Sequence, residues 1–277
     1  MEKTGPDISG ITPIKIPVLR SGLPRLIIIP FAVFFVWVIE TFLSEGNIQL
    51  FSYSNTLALG IYTVFSCIIV GILVPVICIR RAFVSGDVNM FQIGFRAVRR
   101  TVAACAVTGF MVYAGMVFFS PYGSDRMAVI NAFLLLLPTA IASIMVCWVL
   151  VGTHIQAFFR GGGMAVSILY GVVVTAIFFD CTSFAHAGLS GAGGKFPVFF
   201  LIGIIVALFF FAVRDIYASA ILLAFCMAFT GAGSLDPLYF STGALSVYGT
   251  ALVTVIVLVL VHGYFFRHYT TIRIPEE

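Results

Sequence analysis

The sequence predicts an all-α fold, a polytopic transmembrane helix bundle of about eight spans with both termini in the cytoplasm. Composition, the spacing of apolar runs and the distribution of charge predict it. Of 277 residues, 61% are hydrophobic and 9% charged. A soluble domain carries about 25% charged residues because its surface must face water. Runs of about 20 apolar residues cross a bilayer. Eight follow one another, at 26–43, 57–79, 101–119, 128–151, 164–185, 196–213, 216–230 and 245–264. With eight spans, the termini and the loops at 80–100, 159–163 and 214–215 share one side. That side holds 13 of the 15 basic residues, leaving only Arg126 and Lys195 opposite. The positive-inside rule makes it the cytoplasmic side, and an odd span count would lose the asymmetry.

In chain order, residues 1–25 read as a polar cytoplasmic segment with Lys3, Lys15, Arg20 and Arg25, not as a signal peptide: the first apolar run is late, long and lacks a small-residue cleavage site. Residues 26–264 form one membrane domain, and 265–277 a cytoplasmic tail. Within the 80–100 loop, Phe91, Phe95 and Val98 fall at helical spacing beside Arg96, Arg99 and Arg100. This pattern predicts either a basic amphipathic helix on an anionic leaflet or a topology anchor. Gly161, Gly162 and Gly163 predict a tight turn before the fifth span, as do the glycines of 188–194 and 231–234 for later turns. The sixth and seventh spans are divided only by Arg214 and Asp215 and are together too long for one crossing, which predicts a tight hairpin.

Several chemistries have no support. The chain lacks GxxxxGK[ST], GxGxxG, HExxH and GxSxG, and no lysine lies in a span to carry a Schiff base. Its six cysteines all fall in predicted spans, with no CxxC and no cysteine–histidine cluster at zinc spacing, so they read as packing residues. No metal or other cofactor is expected, the only weak opening being a heme between His154 and His262. The net charge of +4 follows from the cytoplasmic excess and calls for no nucleic-acid partner. The expected partners are the lipid bilayer and, beyond it, another membrane protein or a lipidated peptide.

The candidate polar site is Gln156, Arg160, Asp180, His186, Glu40 and His154. Polar groups are costly in hydrocarbon unless paired or hydrated, so their presence in apolar runs marks where function is to be sought. Glu40, Asp180 and His186 lie near the outer ends of their spans and could converge to bind a cation or relay protons. Otherwise Glu40 faces the headgroups and Asp180 joins a hydrogen-bond network between helices.

Residues 152–230 carry a further pattern. Ile155-Gln156-Ala157-Phe158-Phe159-Arg160-Gly161 ends in Phe-Arg-Gly, Thr182-Ser183-Phe184-Ala185-His186 ends in histidine, and an apolar run follows Arg214-Asp215. The stretch resembles the core of the CAAX protease and bacteriocin-processing (CPBP) intramembrane proteases, whose motifs are Glu-Glu-x-x-x-Arg with Gly, Phe-x-x-x-His and His-x-x-x-Asn. The resemblance implies an eight-helix bundle. Ile155 and Gln156 stand where the family has glutamates, Thr182 replaces its phenylalanine, and Phe225 and Phe229 fall at its last histidine and asparagine. Isoleucine, glutamine and phenylalanine cannot serve as general base or metal ligand, so no catalytic residue is assigned and family-type peptide hydrolysis is not expected. The spans also set Gln156 and His186 at opposite faces, about 30 Å apart, where the family's site needs them adjacent. The leading expectation is a non-catalytic binding or accessory protein of the cell membrane. The alternatives are a small-solute, ion or proton transporter through Glu40, Asp180 and His186, and an enzyme on lipid-soluble substrates using His154, Arg160 and His262 at the cytoplasmic face.

Overall fold

The computed structural model describes residues 23–46, 55–88, 90–119, 126–185, 196–231 and 245–269. The described residues form eight long helices and no strand: α1 (Leu23–Thr41), α2 (Thr56–Val84), α3 (Val98–Phe119), α4 (Met127–Gly162), α5 (Met164–Thr182), α6 (Phe196–Val213), α7 (Ile216–Gly231) and α8 (Leu245–Tyr269). Each falls on a predicted span. Among the described residues, five stretches are long and apolar enough to cross a membrane: Leu26–Ser44, Thr56–Val84, Met127–Gly162, Met164–Thr182 and Leu245–His268; Pro197–Val213 and Ile216–Gly231 are apolar but shorter.

The helix ends differ from the sequence reading. α2 runs on through Arg80 and Arg81 to Val84, α4 extends past 151 to Gly162, and α8 continues into the expected tail. Bounds drawn from apolar composition stop at the first polar group, whereas the backbone hydrogen-bond ladder has no such reason to stop. For α4 this matters most, because the added turns bury His154 and Gln156 in the bundle and bring Arg160 to its end.

The arrangement is that of an integral membrane protein. α4 is buried on nearly every side, with Leu135, Leu136, Ala140 and all residues from Ser143 to Gly152 shielded. The other helices surround it and turn large apolar side chains outward, among them Phe35, Phe65, Phe110, Leu169, Leu201, Leu252 and Leu260. Exposed apolar surface on that scale has hydrocarbon, not water, as its fitting solvent. Trp148 at the middle of α4 packs on Phe179 of α5, which stacks on Phe199 of α6. Glycine sets two of the close approaches. A Cβ on Gly71 of α2 would stand 2.5 Å from Ala142 Cβ, and one on Gly203 of α6 would stand 2.9 Å from Ala176 Cα. Small residues let helix backbones meet without a hydrophobic force between helices in lipid.

The predicted turn at Gly161–Gly163 is present: Gly163 has φ +91° and lies between α4 and α5. The break at Arg214-Asp215 is present too, and from it α6 runs along α5 while α7 packs between α3 and α4. The stretch from 90 to 100 is a correction. It is not one amphipathic helix: a single turn at Met90–Ile93 ends at Gly94 (φ +93°), and helix resumes only at Val98. Ile93, Phe95 and Arg96 are buried, so this segment plugs the bundle instead of lying on a leaflet. Glycine at 94 permits the left-handed backbone that lets the segment turn inward.

Candidate functional site

Contacts among the basic residues gather them at one end of the bundle. Arg80 lies over the Tyr264 ring, Arg160 Nη2 donates to the Asp87 carbonyl, and Arg96 Nε donates 3.0 Å to the Arg214 carbonyl. The helix ends that meet here are those the charge distribution assigned to one side.

The plugging segment and the α6–α7 break hold each other. Ile216 N–H donates to the Gly94 carbonyl, Arg214 Nη1 to the Gln92 carbonyl, and His262 Nε2 lies 2.9 Å from the Arg96 carbonyl. A carbonyl only accepts, so His262 carries its proton on Nε2; its ring stacks on Phe95. Asp215 fixes the start of α7, its Oδ1 accepting from Ala218 N–H and its Oδ2 from the Thr101 hydroxyl at 2.7 Å. This is helix capping by an aspartate. Between these anchors Arg214 adopts φ +54°, the one left-handed residue other than glycine among those described. Such a backbone costs a side chain-bearing residue about 1–2 kcal/mol, and the surrounding bonds must hold it.

Arg214 points into a cavity of 680 Å³. Four arginines line it, each from a different element: Arg96 from the plugging segment, Arg100 from α3, Arg160 from the end of α4, and Arg214 from the break. Gln92, Gln156 and Ser167 add polar groups, and Met164, Ile168, Phe211 and Ala212 make an apolar wall. Among the described residues no carboxylate lines it. Asp215 bonds to Thr101 and caps α7; it lies near enough to Arg96 to offset part of its charge but does not line the cavity. Burial lowers the pKa of Arg214 to about 10, with nearby Arg96 pushing the same way. At neutral pH it therefore remains a cation.

Gln156 is 3% exposed and lines the same cavity. Its Oε1 accepts from Arg214 Nη1 at 3.0 Å. A guanidinium only donates, so the amide oxygen must face it. Gln156 Nε2 is left buried with no partner among the described residues. The N-terminus of α5 also opens here: Gly163 and Met164 line the cavity, and Gly163 supplies no side-chain cap. Uncapped N–H groups and the positive end of a helix favour an anion. Among the described residues that line this site, the one fully buried side-chain atom without a partner is a donor.

The sequence candidates divide accordingly. Gln156 and Arg160 share the arginine cavity. His154 lies in a neighbouring cavity with Arg81, Ser85 and Asp87, its Nδ1 bonded to the Leu150 carbonyl. Arg160 and His154 line separate cavities, and His262, which anchors the plugging segment, lines neither of them. Glu40 and Asp180 lie at the opposite end. Glu40 accepts from Ser44, one turn along its own chain. Asp180 is 1% exposed and its Oδ1 has no partner among the described residues, so the expected network there is not seen among them. His186 lies outside the described residues. α5 carries the chain from Gly163 to Asp180 over about 25 Å at 1.5 Å per residue, which sets Asp180 far from Gln156, as the spans implied. Phe225 packs on Gly115 of α3, about 14 Å along α7 from the break, and does not line the arginine cavity.

Gln92, Arg96, Arg100 and Ser167 are site residues that sequence reasoning did not select, and Arg214, a polar group it noted between the sixth and seventh spans, was not placed in the candidate site. The one available signal was that the loops carrying Arg96, Arg100, Arg160 and Arg214 were all predicted on the same side. No family model, no curated protein and no solved structure matches the chain.

Proposed function

We propose that this integral membrane protein is a non-catalytic binding protein of the cell membrane that holds an anionic ligand in the arginine-lined cavity at its cytoplasmic end. The observation that carries the reading is the buried Gln156 Nε2, without a partner among the described residues, in a cavity lined by four arginines and by no described carboxylate. A buried donor without an acceptor costs about 1–3 kcal/mol, and arginine cannot shed its charge at neutral pH. An anion relieves both. The resemblance to CPBP proteases fits this reading: glutamine where the family has a glutamate can donate a hydrogen bond but cannot act as a general base.

Thermal unfolding of the purified full chain in detergent, in sodium sulfate against sodium chloride at equal ionic strength, tests it. Sulfate strengthens apolar burial in any protein, so the diagnostic is the difference from variants. The wild type should gain more from sulfate than Gln156→Glu, whose carboxylate would pair with Arg214 and fill the anion's place. Equal gains in both proteins would remove the reading.

Asp180 favours a second reading, a cation or proton pathway, because a buried carboxylate oxygen without a partner inside a membrane bundle commonly marks one. Asp180→Asn in proteoliposomes should then abolish an ion flux that the wild type supports; flux surviving the substitution would sink it.

A further inference from the structure

Resting on the anion-binding reading, we infer that the ligand's recognised group is a dianionic phosphate, a phosphate monoester rather than a carboxylate or a phosphodiester. Charge argues it first. Arg96, Arg100, Arg160 and Arg214 bring four positive charges into one cavity that no described carboxylate enters. A phosphate monoester carries about −1.5 to −2 at neutral pH, against one charge on a diester. Only the monoester neutralises a large part of such a cluster with one group.

Donor geometry argues it second. Arg214 spends Nε and Nη1 on Phe211, Gln92 and Gln156, leaving its Nη2 hydrogens without a described partner. The Arg160 side chain spends only Nη2, on the Asp87 carbonyl, and the Arg100 side chain makes no hydrogen bond to a described residue. With Gln156 Nε2 and the start of α5, which has no side-chain cap, the cavity offers five donor groups. A terminal phosphate presents three acceptor oxygens to meet them, and planar guanidinium forks match its edges. A carboxylate offers two oxygens in one plane and leaves donors unmet.

The surroundings say how the group arrives. The cavity volume of 680 Å³ exceeds what a lone phosphate fills and lies in the range of ligand sites for larger molecules. One wall is apolar, and its Met164 and Ala212 are exposed at the ends of α5 and α6. The opening therefore sits where the bundle meets the headgroup layer. A lipid ending in a phosphate monoester can enter with its chains along that wall, and a soluble phosphate can enter from the water side.

Binding to the detergent-purified full chain, read by native mass spectrometry and thermal shift, separates these cases. The probes are phosphatidic acid, phosphatidylglycerol with the same acyl chains, and inorganic phosphate. Phosphatidic acid should bind at least about tenfold tighter than phosphatidylglycerol, since one charge-assisted hydrogen bond is worth that much. The preference should grow between pH 5 and pH 8 as the monoester, whose second pKa is about 6, loses its second proton. Gln156→Glu and the double variant Arg100→Gln/Arg160→Gln should each remove it; the latter two side chains are exposed, so that variant keeps the fold. Inorganic phosphate binding as tightly as phosphatidic acid supports the dianion with a soluble source, and weaker binding assigns it to the lipid. Equal binding of phosphatidic acid and phosphatidylglycerol overturns the phosphate monoester while the sulfate-dependent stabilisation stands. No difference between wild type and variants with any anion overturns both.

Discussion

Arg214 holds a backbone conformation that suits glycine and a side chain that glycine lacks. The two contributions separate experimentally. Arg214→Ala loses the bonds to Gln92, Gln156 and Phe211 and keeps the left-handed strain, while Arg214→Gly loses the same bonds and relieves it. Equilibrium unfolding should find the glycine variant more stable than the alanine variant by about 1 kcal/mol; equal stability would mean that the turn relaxes. The same residue sets a pH expectation. Burial lowers its pKa to about 10, so it is charged below that value and neutral above it. The sulfate-specific stabilisation should stay flat from pH 6 to pH 9 and fall as pH rises through 10. A loss near pH 6.5 would point to a histidine in place of the arginines.

Among the helices, close packing is set by where a Cβ can be accommodated. Gly71 meets Ala142 and Gly203 meets the Ala176 backbone, whereas Gly109 of α3 has nothing within 4 Å of an added Cβ. Gly71→Ala and Gly203→Ala should each destabilise the bundle by about 2 kcal/mol through overpacking. Gly109→Ala should leave stability unchanged or raise it slightly, since alanine is the better helix former. Unfolding in denaturing detergent compares the three, and a similar loss at all of them would contradict the packing described. Helix ends were the part least legible in sequence. α4 looked finished at 151 because His154 and Gln156 interrupt the apolar run. Its added turns survive because His154 Nδ1 bonds back to the Leu150 carbonyl and Gln156 meets Arg214.

For the whole molecule, a crossing by each of the eight helices, with the basic ends together, requires the N- and C-terminal ends on the same face, which the positive-inside rule then makes cytoplasmic. A reporter that matures only in the cytoplasm should be active when fused to either end, and a silent C-terminal fusion would break the eight-span topology. Composition, run length and loop charge were enough to predict the class, the number of helices and the gathering of arginines on one side, because those follow from transfer into hydrocarbon and need no knowledge of neighbours. Which arginines meet in one cavity could not follow from them. Residues 90–100 have helical spacing on paper, yet Gly94 turns them inward, and only the contacts with Arg214, Ile216 and His262 hold them there. Likewise Gln156 reads as a lost glutamate until Arg214 claims its oxygen and leaves its amide nitrogen in search of an acceptor. Burial in the bilayer is a property of each segment and is written in it. A binding site is a property of side chains from distant segments, and only their packing decides which donors are left without partners.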